Sequence, residues 1–294
     1  MVSRRVVAVL FALGLCTAVL GAQNQFTLLA TILDPQKGTP PETVPAGNVH
    51  VMEDGAEAKV LKVEPVVRSV KVQILLDNGV GIGQNLTEFR AGLRGLIEAL
   101  PPDIETTIVT TAPQPRFLVK ATKNRDELLK GVDRLVIDTG TGRFTESLTE
   151  AAERANKEKD TFTIFITAGT TSGDRDIREV HTKKLFEQLI GKPMIVHVVM
   201  YTGERSATGG DIQIEVGQAV TKMTNGRYEY INNISRYATL LPELGAEVKK
   251  QATGSTRQFR ITVQRPDGKK GAIGKVSLST GALELTNVRM EGGQ

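Results

Sequence analysis

The residues of this chain that are best placed to do chemistry lie directly after a strand-like segment. Residues 70–76 are mostly apolar, and they run into an acid followed by small residues, the segment DNGVG at 77–81. Such a junction is typical of open α/β sheets, which build their sites where buried strands end. The Asp77 carboxylate can bind a cation or accept hydrogen bonds from loop amides. Gly79 and Gly81, by contrast, offer no side-chain oxygen.

The glycines of this loop also suggest a nucleotide-binding alternative. Gly79, Gly81 and Gly83 have the spacing G-x-G-x-G, whereas the dinucleotide-binding fingerprint is G-x-G-x-x-G. Asp77 would repel a phosphate, and the second predicted strand ends in TTA at 110–112, without the acid that binds a ribose. The chain has no G-K-[ST], G-x-S-x-G or H-E-x-x-H motif. We therefore expect no catalytic residue, no cofactor and no enzyme activity, and a nucleotide-binding α/β enzyme is the alternative.

The elements around this loop alternate between strand and helix patterns, which predicts an α/β unit over residues 69–251. Strands separated by helices with short links indicate a doubly wound, mostly parallel sheet with helices on both faces. Strand patterns cover 70–76, 105–111, 116–120, 161–167, 194–201 and 227–230. Helix patterns cover 85–100, 124–135, 144–158, 177–190, 214–223 and 234–251.

The segments on either side of this unit have only strand patterns. Strands are predicted at 26–33, 48–52 and 58–65, and again at 258–264, 275–279 and 282–290. The acid–glycine pair Asp54-Gly55 is typical of a hairpin turn. Because neither segment is long enough to bury a core by itself, we expect both chain ends to form one small flanking β-sandwich. The predicted β segments are residues 23–68 and 252–294.

The first 22 residues are predicted to be a secretory signal peptide. Arg4 and Arg5 precede an apolar run at 6–15, and small residues follow at 21–22. Cys16 lies in the removed segment, and the bulky Leu15 before it argues against lipid attachment. We expect cleavage near residue 22 and a secreted or periplasmic protein without a membrane span, since no later apolar run approaches about 18 residues.

Composition argues against a disulfide-stabilised protein and against a nucleic-acid-binding protein. The mature chain has no cysteine, because Cys16 is the only one, so disulfides cannot stabilise it. Loss of Arg4 and Arg5 lowers the formal net charge from +4 to +2. With no tryptophan and no long run of lysine or arginine, the sequence gives no support for nucleic-acid binding.

With this order of elements, residues 69–251 resemble the von Willebrand factor type A (VWA) domain family, as found in bacterial secreted proteins with flanking β segments. Residues 72–77 resemble the strand and first acid of the family's D-x-S-x-S motif. Residues 164–169 resemble the strand that usually ends in T-D-G, and 219–228 resemble a helix–turn–strand segment of the family. Residues 48–55 are similar to a hairpin ending in E-D-G in those bacterial proteins.

This resemblance implies a degenerate form of the family's metal-ion-dependent adhesion site. In the family, a divalent cation is held by the Asp and two Ser of the first motif, a later Thr, and the Asp that ends the fourth strand. Here Gly79 and Gly81 stand at the serine positions and Ala168 at the second aspartate. Asp77 and Thr141 are the residual site positions, and we expect no bound metal because Mg²⁺ requires about six oxygen ligands.

Two nearby acids leave one question open at this site. Asp174 and Asp176 lie close enough in sequence to the fourth strand to replace the lost aspartate. The favoured interpretation is that they cap the helix predicted from Ile177.

The resemblance further implies a non-enzymatic domain that binds another protein or an extracellular matrix component. The expected contact surface consists of the loops at 78–84, 139–144 and 168–176. A purely structural envelope component, whose loops bind nothing, is a third possibility. The residues expected at the partner-binding surface are Asp77, Asn78, Gly79, Gly81, Thr141, Arg143, Ala168, Asp174 and Arg175.

Overall fold

A computed structural model of the chain describes residues 24–158, 160–171, 173–174, 177–202, 210–266 and 271–291. The predicted signal peptide at 1–22 lies outside these residues. The chain divides into two compact units. One is Arg68–Thr256, the α/β unit, and the other, the β unit, combines the residues on either side of it. Within the described ranges, no helix has both the length and the apolar character needed to cross a membrane.

The described residues form twelve strands and six α-helices, numbered here in chain order. The strands are β1 (Gln25–Leu33), β2 (Val49–Glu53), β3 (Ala56–Val67), β4 (Ser69–Leu76), β5 (Glu105–Thr110), β6 (Arg116–Thr122), β7 (Thr161–Thr170), β8 (Met194–Tyr201), β9 (Tyr228–Ile231), β10 (Arg257–Gln264), β11 (Ile273–Leu278) and β12 (Glu284–Met290). The helices are α1 (Leu86–Ala99), α2 (Arg125–Arg134), α3 (Phe144–Ala155), α4 (Glu179–Leu189), α5 (Gly210–Thr224) and α6 (Tyr237–Thr256).

The sheet of the α/β unit has the strand order β6-β5-β4-β7-β8-β9. Only the pairing of β5 with β6 is antiparallel, so the sheet is mostly parallel, as the sequence predicts. The chain builds outward from β4 in one direction through β5 and in the other through β7. The carboxyl ends of β4 and β7 therefore flank the point where the strand order reverses, and ligand sites of such sheets lie there.

Helices cover both faces of this sheet. Successive residues of a strand point to opposite faces, and the central strand β4 shows this directly. Ile74 belongs to a hydrophobic cluster that contains residues of α1, α2 and α6. Leu75 belongs to a second cluster, with residues of α3, α4 and α5. The two buried layers hold β4 and the Asp77 that follows it in a fixed position.

The structure shows what determines the ends of three helices. Asn124 caps α2, since its Oδ1 accepts hydrogen bonds from the amides of Asp126 and Glu127 at 3.0 and 3.3 Å. Asn85 makes no such side-chain cap, because a 3-10 turn at Gly83–Asn85 leads directly into α1. Helix α6 continues beyond the predicted end at 251, and the buried Ala252 packs into the cluster on its face of the sheet.

The β unit is a six-stranded sheet with the order β11-β2-β3-β10-β1-β12. All of its pairings are antiparallel, and β10, from the C-terminal end, lies between β1 and β3 from the N-terminal end. Asp54 and Gly55 have φ angles of 49° and 82°, which confirms the predicted hairpin turn between β2 and β3. Strands from both ends contribute to one hydrophobic cluster, which includes Phe26, Leu28, Ile32, Val49, Val51, Phe259, Ile261 and Val263.

Candidate functional site

Asp77 occupies the centre of the candidate site, at the carboxyl end of β4. Its backbone amide continues the sheet by donating to the carbonyl of Ala168 in β7, at 2.9 Å. Its Oδ1 accepts a hydrogen bond from the amide of Gly79 at 2.8 Å. Its Oδ2 accepts two bonds from Thr170, one from the amide at 3.2 Å and one from the hydroxyl at 2.8 Å. The Asp77 carboxylate thus accepts hydrogen bonds from backbone amides, which is one of the two roles that the sequence allows for it.

Glycine backbone packs directly against the Asp77 side chain. A Cβ atom on Gly142 would lie 2.4 Å from Asp77 Cγ and 2.5 and 2.7 Å from the two carboxylate oxygens. A Cβ atom on Gly169 would lie 2.6 Å from Asp77 Cβ. Because real side chains do not tolerate such distances, the loop at 139–143 and strand β7 can enclose this carboxylate only where they carry glycine.

The other residues of the first loop have structural contacts. Asn78 Oδ1 accepts from the amide of Ala112 at 3.2 Å, and its Nδ2 donates to the carbonyl of Val136 at 3.0 Å. A Cβ atom on Gly79 would lie 2.7 Å from the carbonyl oxygen of Gly140. The first loop is therefore held against the following one, and a serine at position 79 has no room without backbone movement.

Burial sets the electrostatics of this edge. Asp77 is 7% exposed, and loss of hydration raises the pKa of its carboxyl above the ordinary value, although the bonds from Gly79 and Thr170 act in the opposite direction. Burial also raises the pKa of Asp174, and the nearby charge of Asp77 adds to that increase. The pKa of the fully buried Tyr237 phenol is raised well above its usual value, again mainly by burial, and its hydroxyl donates to the carbonyl of Gly169 at 2.7 Å.

The role that the sequence predicted for Asp174 is wrong, because this residue caps a different helix. Its Oδ2 accepts a hydrogen bond from the amide of Thr145, in the first turn of α3, at 2.8 Å. Its own amide donates to the carbonyl of Gly142 at 3.1 Å. Asp174 thus joins the loop after β7 to the start of α3. Asp176, the other acid considered at this position, and Arg175 lie outside the described residues.

An open cleft of about 470 Å³ lies between α3 and α4. Thr141 lines this cleft together with Asp174. The Asp77 carboxylate, in contrast, accepts its hydrogen bonds within the described chain from Gly79 and Thr170. Asp77 and Thr141, the two residual positions of the degenerate metal site, therefore lie in different environments. The residues that line the cleft are Thr141, Arg143, Thr145, Glu146, Thr149, Glu150, Asp174, Ile177, His181 and Lys184.

The remaining predicted site residues differ in their accessibility. Arg143 is exposed, but its Nε donates to the carbonyl of Pro113 at 2.7 Å and its guanidinium pairs with Glu146 at 3.0 Å. Ala168 is 1% exposed and lies within β7, so its methyl group belongs to the core. Across the described residues, no group of three or more His, Cys, Asp or Glu side chains is placed to hold a metal ion.

Sequence reasoning included two residues that complete the site only as members of predicted loops, and it gave them no role. Thr170 supplies two of the three hydrogen bonds that described residues donate to the Asp77 carboxylate, from 93 positions further along the chain. The position of the Thr170 hydroxyl, at the end of the strand next to β4, was the sequence signal that could have indicated its contact with Asp77. Gly142 was included only as part of a loop, and no local pattern indicates that its backbone lies against a carboxylate.

No protein-family model and no curated protein matches the chain. Solved structures do match. A von Willebrand factor type A protein from Catenulispora acidiphila matches with a TM-score of 0.51 and 11% identity, over 82% of this chain and 74% of its own. Proximal thread matrix protein 1 from the mussel byssus matches with a TM-score of 0.48 and 15% identity, over 64% of this chain and 49% of its own. BatB from Bacteroides thetaiotaomicron matches with a TM-score of 0.46 and 15% identity, over 62% of this chain and 100% of its own. At 11% identity, the first similarity concerns the fold and not the activity.

Proposed function

We propose, from the von Willebrand factor type A fold of this chain, that it is an exported, non-enzymatic domain for protein binding or adhesion that works without a bound cation. Its partner is another protein or an extracellular matrix component, bound through the loops at the carboxyl edge of the parallel sheet. The export signal at 1–22 directs it to the periplasm or the exterior. Strands from both chain ends form the six-stranded sheet of the β unit, and we propose that this sheet folds over its core as a small β-sandwich.

The observation that carries the proposal is the set of groups around Asp77. Both carboxylate oxygens already accept hydrogen bonds, from the amide of Gly79 and from the amide and hydroxyl of Thr170. Mg²⁺ requires near-octahedral oxygen ligands at 2.0–2.1 Å. Amide N–H groups cannot serve as ligands, and Ala168 offers only a buried methyl group where a second carboxylate would be needed. This donor set does not fit a divalent cation and instead makes Asp77 the anchor of a rigid loop.

Partner contact then depends on the exposed side chains of these loops. Val80, at the tip of the first loop, is 49% exposed, and its amide donates to the carbonyl of Gly140 at 3.2 Å. An apolar side chain on a firmly held loop loses little conformational entropy on binding, which favours its use in an interface. Arg143 adds an exposed charge close by.

The nucleotide-binding alternative has less support from the same loop. Phosphate-binding loops present free backbone amides to the ligand. Here the Gly79 amide is used by the Asp77 carboxylate, which also places a negative group beneath the loop. A rise in melting temperature on addition of millimolar ATP, in the absence of any partner, would revive this alternative.

Partner capture with matched loop variants tests the proposal. Immobilised mature protein is incubated with the native envelope fraction, and wild type is compared with Val80→Asp and Ile190→Asp. Ile190 is 56% exposed and follows α4, at the opposite edge of the sheet, so its variant is the matched control. We expect Val80→Asp to lose a protein that wild type and Ile190→Asp retain. Equal retention by all three would exclude the loop surface, and retention of nothing by wild type would favour the structural alternative.

A further inference from the structure

The cleft between α3 and α4 has a buried acid, Asp174, at its floor, and the proposed function leaves this acid unexplained. Asp174 is 8% exposed and holds its carboxylate at the start of α3, where Oδ2 accepts the Thr145 amide. Thr145 is only 2% exposed and also lines the cleft. The side chains of Thr145 and Gln213 both hydrogen-bond the Asp174 carboxylate and favour its charged form. A hydroxyl that donates to a carboxylate keeps its lone pairs, so Thr145 Oγ can still accept a hydrogen bond from a ligand in the cleft.

The cations on the walls of the cleft already have partners. Arg143 pairs with Glu146 at 3.0 Å, and Lys184 pairs with Glu153 at 2.8 Å. Of the remaining titratable groups, His181 accepts the amide of Arg178 on Nδ1, at 3.2 Å. Glu150 also lines the cleft and has Arg154 at 3.6 Å.

Among the described residues that line the cleft, Asp174 is thus an acid at the floor without an ion-pair partner. Asp77, on the other side of Gly142, adds to the negative potential there. A positively charged group gains from this potential, whereas a carboxylate would be repelled by it.

We propose that this cleft receives a lysine or arginine side chain of the bound protein, whose charged end pairs with Asp174 and donates to Thr145 Oγ. The inference rests on the proposed protein-binding function and adds the chemistry of the group that is recognised. The volume of about 470 Å³ admits a basic side chain together with a short stretch of peptide. In this proposal, the basic side chain of the partner supplies the positive charge that a divalent cation would supply in a metal-dependent adhesion site.

Small probes test the cleft independently of any natural partner. Backbone amide shifts of the ¹⁵N-labelled mature protein are followed by NMR during titration with Nα-acetyl-lysine amide and Nα-acetyl-arginine amide. Nα-acetyl-norleucine amide matches the lysine probe without its charge, and Nα-acetyl-glutamate amide reverses the charge. We expect saturable shifts, centred on the start of α3 and on residues 173–174, for the two basic probes only.

Conservative variants identify the groups that bind. Asp174→Asn keeps an oxygen that can cap α3 but removes the charge, and we expect roughly tenfold weaker binding of the lysine probe. Thr145→Val should weaken it several-fold while Thr145→Ser retains it. Glu98→Gln, which removes an exposed acid of α1, is the matched control and should leave binding unchanged.

Each other result overturns the inference. Equal shifts with the norleucine probe would show an apolar site, and shifts with the glutamate probe alone would show an anion site. MgCl₂ that causes the same shifts and blocks the lysine probe would show an inorganic cation site. Unchanged binding in Asp174→Asn would exclude the carboxylate, as would the absence of saturable shifts with either basic probe. None of these outcomes affects partner capture through Val80. The probe titrations therefore test the inference, and the capture experiment tests the proposed function.

Discussion

Gly142 joins the two acids of the candidate site. On one side its Cα leaves no space for a side chain against the Asp77 carboxylate, and on the other its carbonyl accepts the amide of Asp174 at 3.1 Å. The geometry of both carboxylates therefore depends on one residue that has no side chain. Because the surroundings are buried, any added atom must displace either a strand end or a hydrogen-bonded loop.

Gly142→Ala is expected to destabilise the α/β unit. The new Cβ would meet Asp77 at 2.4–2.7 Å, and overpacking of this kind costs about 1–3 kcal/mol. Urea unfolding followed by circular dichroism measures the change. Gly47→Ala is the matched control, since a Cβ there meets nothing within 4 Å, and its free energy of unfolding should change by less than about 1 kcal/mol. Equal stability of the two variants would mean that the loop yields easily around Asp77.

Divalent cations should leave the stability of the wild-type protein nearly unchanged. Millimolar Mg²⁺ acting on a micromolar site would stabilise the folded state by about 4 kcal/mol. The described residues gather too few ligands around Asp77 for such a site. Thermal melts in EDTA, Mg²⁺ and Mn²⁺ provide the measurement. A rise of several degrees in wild type contradicts the prediction, and its loss in Asp77→Asn or in Asp174→Asn would show which carboxylate holds the ion.

At the scale of elements, alternating patterns of apolar residues predict the strands and helices, but not the contacts between their ends. Asp77 was predicted from residues adjacent to it in the sequence. Its partner Thr170 and the cap from Asp174 to Thr145 connect positions 93 and 29 residues apart. Asp174 also has a φ of 55°, an uncommon conformation for a residue other than glycine, which the sequence before Ile177 does not reveal.

His197 shows how one side chain joins three elements. It lies in β8 and is fully buried, and its Nδ1 accepts the amide of Arg227, directly before β9, at 3.1 Å. The other nitrogen, Nε2, must then carry the proton and donate to Gln251 Oε1 in α6, at 2.8 Å. Protonation of Nδ1 would set two N–H groups against each other.

Acid is therefore expected to weaken the junction between β8, β9 and α6. Burial lowers the pKa of His197 below 6.5, an effect to which the Arg227 charge adds and which Gln251 and Glu247 oppose. The unfolded chain takes up the proton first, so the contribution of His197 to stability is complete above about pH 6.5 and is lost as the pH falls towards the folded-state pKa.

Urea unfolding at about pH 7.5 and about pH 5.5 measures this loss. Wild type should lose more stability between the two values than His197→Gln does. His181→Gln, which changes a histidine at the start of α4, should retain the wild-type dependence. The same loss in wild type and in His197→Gln would assign the pH dependence to other groups.

At the scale of the whole molecule, the sequence predicts that both chain ends contribute to one flanking β structure because neither end can bury a core alone. The order of its strands did not follow from the sequence. Strand β10 pairs with β1 on one side and β3 on the other, and these pairings span most of the chain length. Such long-range register depends on packing between segments and leaves no local signal, unlike the Asp54-Gly55 turn.

This topology makes the C-terminal strands depend on the N-terminal ones. Deletion of residues 26–65 removes β1 and β2 and most of β3, and so exposes both edges of β10. It also takes most of the shared core away from Phe259 and Ile261, which are fully buried in the intact chain. Unpaired edges with apolar faces aggregate or become disordered. We expect amide NMR signals of residues 258–290 to lose their dispersion while those of the α/β unit remain sharp. Gly47→Ala, which leaves all pairings intact, should keep both sets dispersed, and full dispersion of residues 258–290 in the deletion variant would show that these strands form a core of their own.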